Sequence, residues 1–157
     1  MIILGIDPGT HRTGFGLIEK NGKNWRHVEN GLIAPATKLL LPEKLKMIYQ
    51  MLSRMIAQYQ PTEIALEDLF FAKNAKSALK LGHARGVAML AAAEQGLKVF
   101  EYPPATIKQT ICGFGQASKE QMQKMVKIHL KLKEVAEENA SDALAAALCH
   151  GQTKRFE

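Results

Sequence analysis

The first 33 residues constrain the fold most, because they predict three strands in immediate succession. Residues 2–6 are a short apolar run rich in β-branched side chains, which ends at the turn-forming sequence Asp7-Pro8-Gly9. Residues 13–19 predict a second strand, and Asn21-Gly22 supplies the positive-φ residues of a type I′ hairpin turn. Residues 25–33 form the returning strand. The sequence therefore opens with three antiparallel strands.

Helices and strands follow in the rest of the chain. Apolar residues at helical spacing predict a helix from Leu41 to just before Pro61. The other elements predicted from pattern and capping signals are a strand 62–66, a helix from Asn74 to about Gln95, a strand 97–102, a helix starting at Ser118 and a last helix 139–151. Pro103-Pro104 is expected to break the chain, and residues 152–157 are expected to form a disordered tail. This order predicts an α/β fold, a mixed sheet with helices on its faces.

Length and composition predict a single globular domain over residues 1–151. The chain has 157 residues, of which 46% are apolar and 23% charged, so disorder is excluded. It has no N-terminal signal pattern and no apolar run long enough to cross a bilayer, so we expect a cytoplasmic protein without membrane contact. Cys112 and Cys149 are expected to be reduced and buried.

The charge balance indicates a polyanionic partner. Lys and Arg total 21 and Asp and Glu total 15, which gives a net charge of +6 and a pI near 9.4. A basic domain of this kind is typical of proteins that bind nucleic acid or anionic lipid.

Three acids occupy positions where a site can form. Asp7 follows the first strand, Glu67 follows the fourth, and Asp142 lies near the start of the last helix, with Asn139 three residues earlier on the same helical face. Clustered carboxylates can hold Mg²⁺, which accepts oxygen ligands from protein and phosphate. The alternative is structural: Asp7 is a turn residue, Glu67 a surface charge and Asp142 a partner of the helix dipole.

Four segments, in the same order along the chain, resemble the RuvC family of Holliday-junction resolvases. They are GIDPGTHRTGFG at residues 5–16, LEDLFFAKNAKSALKLGHARG at 66–86, VFEYPPATIKQT at 99–110 and ASDALA at 140–145. The resemblance implies a ribonuclease-H-like five-stranded mixed sheet and a homodimeric endonuclease. Such an enzyme makes paired, symmetric nicks in two opposing strands of a four-way DNA junction, in recombination and repair.

The resemblance also implies the active-site residues. It assigns catalytic roles to Asp7, Glu67 and Asp142 as ligands of Mg²⁺ or Mn²⁺, with two ions expected per site. The family has a fourth cluster member, usually Asp and sometimes His, at the position of Asn139. The long helix with Gly82 and Gly86 corresponds to the family's dimer interface.

Asn139 departs from the family pattern, and several explanations stay open. An amide offers one neutral oxygen to a metal, but it carries no charge and cannot act as a base. Asn139 is therefore an N-cap of the last helix, part of a differently tuned metal site, or an engineered inactivating substitution. The alternative function that follows is a junction-binding protein with weakened or lost cleavage.

Further resemblance implies the DNA contacts and the partners. Phe70 corresponds to a position at the junction core, and exposed aromatic side chains such as Phe70 and Phe71 can stack on unpaired bases. Lys108 and Lys119 correspond to DNA contacts near the scissile phosphate, where they would neutralise charge, and Lys108 is also a candidate catalytic residue. Lys73 and Arg85 belong either to a DNA-binding surface or to a solvated basic face. The family works with the RuvA–RuvB branch-migration motor.

A second enzyme class shares the first motif. The sequence GIDPGT followed by a glycine-containing strand also resembles the phosphate-binding hairpin of actin-like and sugar-kinase ATPases. Those proteins enclose their nucleotide between two such domains, and this chain contains a single copy of the motif. The ATPase interpretation is therefore the weaker one.

Overall fold

The structure is a computed structural model that describes residues 1–68 and 74–153. Five strands form one sheet in the order β3-β2-β1-β4-β5. The strands are β1 (Ile2–Asp7), β2 (Thr13–Asn21), β3 (Asn24–Ile33), β4 (Glu63–Glu67) and β5 (Lys98–Tyr102). The helices are α1 (Leu41–Tyr59), α2 (Ala75–Glu94), α3 (Pro104–Cys112), α4 (Lys119–Leu130) and α5 (Glu138–Thr153).

The sheet is mixed, as the sequence predicts. β1, β2 and β3 pair antiparallel, so the predicted hairpin is present. The predicted type I′ turn at Asn21-Gly22 is wrong, because Asn21 still pairs with Asn24 and the loop is Gly22-Lys23, in which only Gly22 has a positive φ, of 59°. β4 pairs parallel to β1, and β5 pairs parallel to β4. Parallel pairing places the carboxyl ends of β1, β4 and β5 at one edge of the sheet, where sites form in α/β proteins.

Helix α3 is the element that the sequence analysis missed. Pro103-Pro104 was expected only to break the chain, but Pro103 is the N-cap of α3 and Pro104 its first residue. Proline is favoured at this position, because the amide that it lacks would have no partner within the helix and its φ already fits. Gly113 ends the helix with a φ of 84°.

Two apolar cores lie on the two faces of the sheet. Alternation along β1 sends Ile3 towards α3, α4 and α5, whereas Leu4 and Ile6 pack with α1 and α2. All three side chains are fully buried. The face shared by Ile3 and Gly5 is also the face of Asp7, so the first strand directs its terminal carboxylate towards α5.

Helix α5 lies on the sheet at backbone contact distance. A Cβ atom built on Gly5 would lie 1.9 Å from the carbonyl oxygen of Ala143, and one built on Gly14 would lie 2.0 Å from that of Asn139. A side chain at either strand position would therefore overlap the helix backbone. These two glycines set the depth at which α5 sits on β1 and β2.

The C-terminal half of α5 is held by a buried polar cluster. His150 is fully buried, with Nε2 2.8 Å from a carboxylate oxygen of Glu63 and Nδ1 2.6 Å from the hydroxyl of Tyr102. An ionised carboxylate only accepts hydrogen bonds, so Nε2 carries the proton that is donated to Glu63. The cluster ties α5 to both β4 and β5.

Several smaller expectations need correction. Gln152 and Thr153 were expected in a disordered tail, but they form the last turn of α5, and the Thr153 hydroxyl donates to the Cys149 carbonyl at 2.8 Å. Cys149 is buried, whereas Cys112 is only partly buried. Within the described ranges no helix is long and apolar enough to cross a membrane.

The fit of α5 on the sheet gives the first prediction. Gly5→Ala should destabilise the protein by roughly 2 kcal/mol or more, because an added methyl group forces the packed helix backbone away. The matched control is Gly115→Ala, where the nearest atom would lie 3.7 Å from the new Cβ. Chemical denaturation of both variants measures the difference, and equal stability of the two would contradict the packing argument.

Candidate active site

Two carboxylates meet where β1 and β4 end. The last registered pair of these strands is Ile6 with Leu66, and Asp7 and Glu67 follow it on neighbouring strands. Both side chains line one cleft on the α5 face of the sheet. The first and fourth strands are adjacent, and their parallel pairing is the reason that these acids lie side by side.

Helix α5 brings a third carboxylate and an amide into the same cleft. Gly14, which pairs with Asp7 across the sheet, is covered by the backbone of Asn139. Asp142 lies one turn further along α5 and lines the cleft with Asn139. Close packing of the helix start on β2 is what places these two side chains over Asp7.

Asn139 is not the N-cap of α5. It is the second residue of the helix, and the capping contacts come from Glu137. The Glu137 carboxylate accepts the backbone amides of Asn139 at 2.8 Å and of Ala140 at 3.2 Å. The side chain of Asn139 therefore does not cap the helix and lines the cleft instead. The interpretation of this residue as the N-cap is wrong.

The cleft has a volume of about 340 Å³ and combines acidic, basic and apolar walls. Its lining residues are Asp7, Glu67, Pro104, Ile107, Lys108, Lys119, Met122, Asn139, Asp142 and Ala145. Lys108 comes from the unpredicted helix α3 and Lys119 from the first residue of α4. All of the sequence-predicted site residues that the structure describes thus lie in one cleft.

Burial and repulsion by neighbouring carboxylates raise the pKa of all three carboxyl groups. The pKa of Asp7 rises from 3.8 to about 7, mainly through burial and then through Asp142 and Glu67. Burial is also the main cause of the raised pKa of Glu67 and of Asp142. Without a counter-ion the cluster therefore resists full ionisation.

The two lysines act against this effect. The positive charges of Lys108 and Lys119 lower the pKa of both Glu67 and Asp142, in opposition to burial. Lys119 also forms an ion pair with Glu138, which is the largest cause of its own raised pKa. This side chain is 71% exposed, so its ammonium group can exchange Glu138 for a phosphate at modest cost.

The donor set fits a hard divalent cation that also binds substrate. Among residues 1–68 and 74–153, no three Asp, Glu, His or Cys side chains form a group able to hold a metal by themselves. Mg²⁺ is characteristically held by one or two carboxylates, with water and phosphate oxygens completing its shell. Raised carboxyl pKa values together with an open cleft match that kind of site.

The comparisons with known proteins decide the family. Residues 3–150 match the family model described as "Crossover junction endodeoxyribonuclease RuvC".

This chain belongs to the RuvC family.

Three relatives illustrate the similarity. RuvC of Syntrophotalea carbinolica is 57% identical over 150 residues, covering 96% of this chain and 93% of that protein. RuvC of Citrifermentans bemidjiense is 53% identical over 153 residues, covering 98% and 93%. The structure described as "T. thermophilus RuvC in complex with Holliday junction substrate" has a TM-score of 0.94 at 32% identity, covering 99% of this chain and 96% of that one.

Membership of the RuvC family confirms several predictions. The fold is the ribonuclease-H-like five-stranded mixed sheet, and the chain is an endodeoxyribonuclease that resolves Holliday junctions, in recombination and repair. The ATPase interpretation is set aside. Nothing in the comparisons supports the alternative of a junction binder that has lost cleavage.

Two contacts in this chain were not predicted from the sequence. Arg85 was assigned to a basic surface, but its side chain is 14% exposed and donates to the backbone carbonyl of Glu67 while pairing with Glu101. It therefore supports the strand end that carries Glu67. Arg12 forms an ion pair with Glu137 at 3.6 Å, which joins the loop after β1 to the start of α5. Neither contact has a local sequence signal, since each joins distant segments.

Phe70, Phe71 and Lys73 lie outside the described residues, so their predicted DNA contacts stay predictions. On the surface of α4, Lys124 pairs with Glu120 one turn away.

The raised pKa of Asp7 predicts how stability depends on pH in metal-free protein. Its carboxyl group binds a proton more tightly in the folded state, so the native state loses stability as pH rises from about 4 to about 7. A pKa unit corresponds to about 1.4 kcal/mol, so the loss is bounded at about 4 kcal/mol. Asp7→Asn should therefore raise the melting temperature at pH 8 and change it little at pH 4.

Thermal unfolding in the presence of a chelator measures this effect. Glu134→Gln, which neutralises an exposed carboxylate, serves as the control and should show no such pH dependence. A stabilisation by Asp7→Asn that is the same at pH 4 and pH 8 would contradict the electrostatic origin.

Proposed function

We propose that this member of the RuvC family cleaves four-way junctions by paired symmetric nicks, with Asp7, Glu67 and Asp142 as ligands of catalytic divalent cations. Metal dependence is general for this nuclease chemistry, and the proposed ion is Mg²⁺, with Mn²⁺ as a substitute and two ions per site. The observation that carries the proposal is the set of three acids with raised pKa values in one cleft between two lysines. One nuclease domain, residues 1–151, contains the whole site.

Each cleft residue has a physical task in this proposal. Bound divalent cations supply charge neutralisation and polarise the water and phosphate oxygens that react. Asp7, Glu67 and Asp142 orient those ions, and Asn139 contributes a neutral oxygen. Lys108 stabilises the negative charge that develops on the phosphate, and Lys119 binds the phosphate group itself.

Junction DNA is the proposed substrate. A RuvC with 32% identity to this chain has a structure described as a complex with Holliday junction substrate, and the two chains superpose over 99% of this one. The proposed DNA contacts are Phe70, Phe71, Lys73, Lys108 and Lys119. The net charge of +6 favours the approach of a polyanion, and stacking by the phenylalanines would favour unpaired bases at the junction core.

We also propose a homodimer formed through α2. Ala84, Ala88 and Ala91 bury one side of this helix against the protein's own core. The other side exposes Leu79 and Leu90, at 67% and 52%, and a Cβ on Gly86 would meet no atom of the described chain within 4 Å. This side of α2 is thus left uncovered by the described part of the chain, and the proposed partner on it is a second copy. Two sites related by symmetry then face two opposing strands.

By family resemblance, we also propose that the chain works with the RuvA–RuvB branch-migration motor. We propose that the protein acts in the cytoplasm, where it would have direct access to chromosomal DNA.

A cleavage assay tests the catalytic assignment. Asp7→Asn should reduce cleavage of a labelled mobile four-way junction by about 1,000-fold or more, because it removes a charged metal ligand, and it should leave junction binding intact. The parent chain should give paired nicks that depend on Mg²⁺ or Mn²⁺. Glu134→Gln is the control for the loss of one negative charge.

Two results of that assay would contradict the proposal. Normal cleavage by Asp7→Asn would remove Asp7 from the metal site. If the parent chain binds junctions but does not cleave them with either metal, the catalytic role proposed for this cluster of acids is wrong.

The dimer proposal is tested by charge insertion on α2. Leu90→Glu should convert a dimer of twice 17.4 kDa into monomers in sedimentation analysis, because it buries an unpaired carboxylate in an apolar interface. Leu40→Glu is the matched control, since Leu40 is 70% exposed and lies at the start of α1 instead. Dimers that persist in Leu90→Glu would exclude this face of α2.

A further inference from the structure

The side-chain amide of Asn139 has one orientation that chemistry allows. One end of the amide lies 3.0 Å from Oε1 of Glu137. An ionised carboxylate can only accept a hydrogen bond, so the end beside it must be the NH₂ group and not the carbonyl oxygen. The contact with Glu137 therefore fixes which atom of Asn139 points elsewhere.

The atom that remains is the carbonyl oxygen, Oδ1. Within residues 1–68 and 74–153 it has no hydrogen-bond partner, and Asn139 lines the cleft with Asp7 and Asp142. An amide oxygen is a suitable ligand for Mg²⁺ or Mn²⁺, whereas the NH₂ group is not. The orientation imposed by Glu137 is thus the one in which Asn139 can act as a ligand.

Glu137 is itself held from several sides. Its Oε2 accepts two backbone amides at the start of α5, and Arg12 lies 3.6 Å from Oε1. Its negative charge also reaches the cluster, since it contributes to the raised pKa values of Asp7 and Asp142. The carboxylate is therefore fixed in position, close to the cleft and only partly exposed.

We propose that Glu137 is a positioning residue that compensates for the amide at position 139. It holds Nδ2 of Asn139 so that Oδ1 is available to a metal ion, and it supplies next to the cluster the negative charge that Asn139 lacks. This inference rests on the proposed metal site and adds a residue to it. Glu137 acts through Asn139 and does not touch the reacting atoms.

An acid at position 139 would reverse the effect of Glu137. In Asn139→Asp the hydrogen bond at 3.0 Å becomes a contact between two carboxylate oxygens, which repel each other. Glu137 should then hinder the arrangement that it supports beside asparagine. The two substitutions are therefore expected to be strongly non-additive.

The experiment is a double-mutant cycle with Mn²⁺ as the probe. Glu137→Gln, Asn139→Asp and the double variant are compared with the parent chain in two measurements. The first is the Mn²⁺ concentration that gives half-maximal thermal stabilisation without DNA, and the second is the Mn²⁺ concentration for half-maximal junction cleavage. Glutamine retains one acceptor for the helix start but can also donate, so it no longer dictates the amide orientation.

The expected result is that the effect of Glu137→Gln depends on the residue at position 139. In the parent background Glu137→Gln should raise both Mn²⁺ concentrations about tenfold, the low end of the loss typical for residues that orient metal ligands. In the Asn139→Asp background the same substitution should leave them unchanged or lower them. Glu134→Gln, the charge-matched control, should have no effect in either background.

Two results would overturn the proposal. If Glu137 only caps α5, Glu137→Gln lowers the melting temperature equally in both backgrounds and leaves the Mn²⁺ dependence unchanged. An equal increase of the Mn²⁺ requirement in both backgrounds would show a general charge effect without any role for Asn139.

Asp7→Asn, measured in parallel, separates this proposal from the proposed function. If Asp7→Asn abolishes the Mn²⁺ response and Glu137→Gln does not change it, only the role of Glu137 is wrong. If Asp7→Asn responds to Mn²⁺ like the parent chain, the metal site itself is wrong and the role of Glu137 fails with it.

Discussion

The backbone contact between α5 and the β1–β2 hairpin determines the geometry of everything near the active site. Asp7 pairs with Gly14 in the sheet, and Gly14 lies beneath the carbonyl of Asn139. The N-terminal hairpin and a helix more than 100 residues later in the chain are thus linked by contacts with no intervening side chain. Such contacts leave little freedom for adjustment, because a packed interior transmits a shift instead of absorbing it. This close packing requires glycine within the strands, where glycine is otherwise unfavourable.

A cluster held this rigidly is electrostatically unfavourable on its own. Burial raises the pKa of Asp7 to about 7, and Glu67 and Asp142 shift in the same direction. The protein offsets part of this with Lys108 and Lys119, which lie in the same cleft. The low stability of the cluster and its affinity for cations therefore have a common origin. Burial and repulsion destabilise the ionised carboxylates, and a bound cation relieves that destabilisation.

The sequence predicted those parts of this arrangement that depend on local pattern. Strand alternation, the hairpin between β2 and β3 and the capping signal at Ser118 each involve neighbouring residues, and family motifs placed Asp7, Glu67 and Asp142. The parts that could not be predicted join distant segments. His150 bonds to Glu63 across 87 residues, and Arg85 reaches the Glu67 backbone across 18. Helix α3 was missed for a different reason, because Pro103-Pro104 signals a helix start as well as a break.

Asn139 shows why a motif position should be interpreted together with the residues around it. As an isolated departure from an acidic pattern it indicates a weakened site, because an amide carries no charge. In the fold, the amide lies against the carboxylate of Glu137, which is in turn paired with Arg12 and bonded to the helix start. Compared with an acid at position 139, the negative charge therefore lies at the border of the cleft, on Glu137, instead of within the cleft. A neutral ligand with a fixed orientation and a nearby charge can perform together what a single carboxylate performs alone, and this makes the function of position 139 a property of the pair.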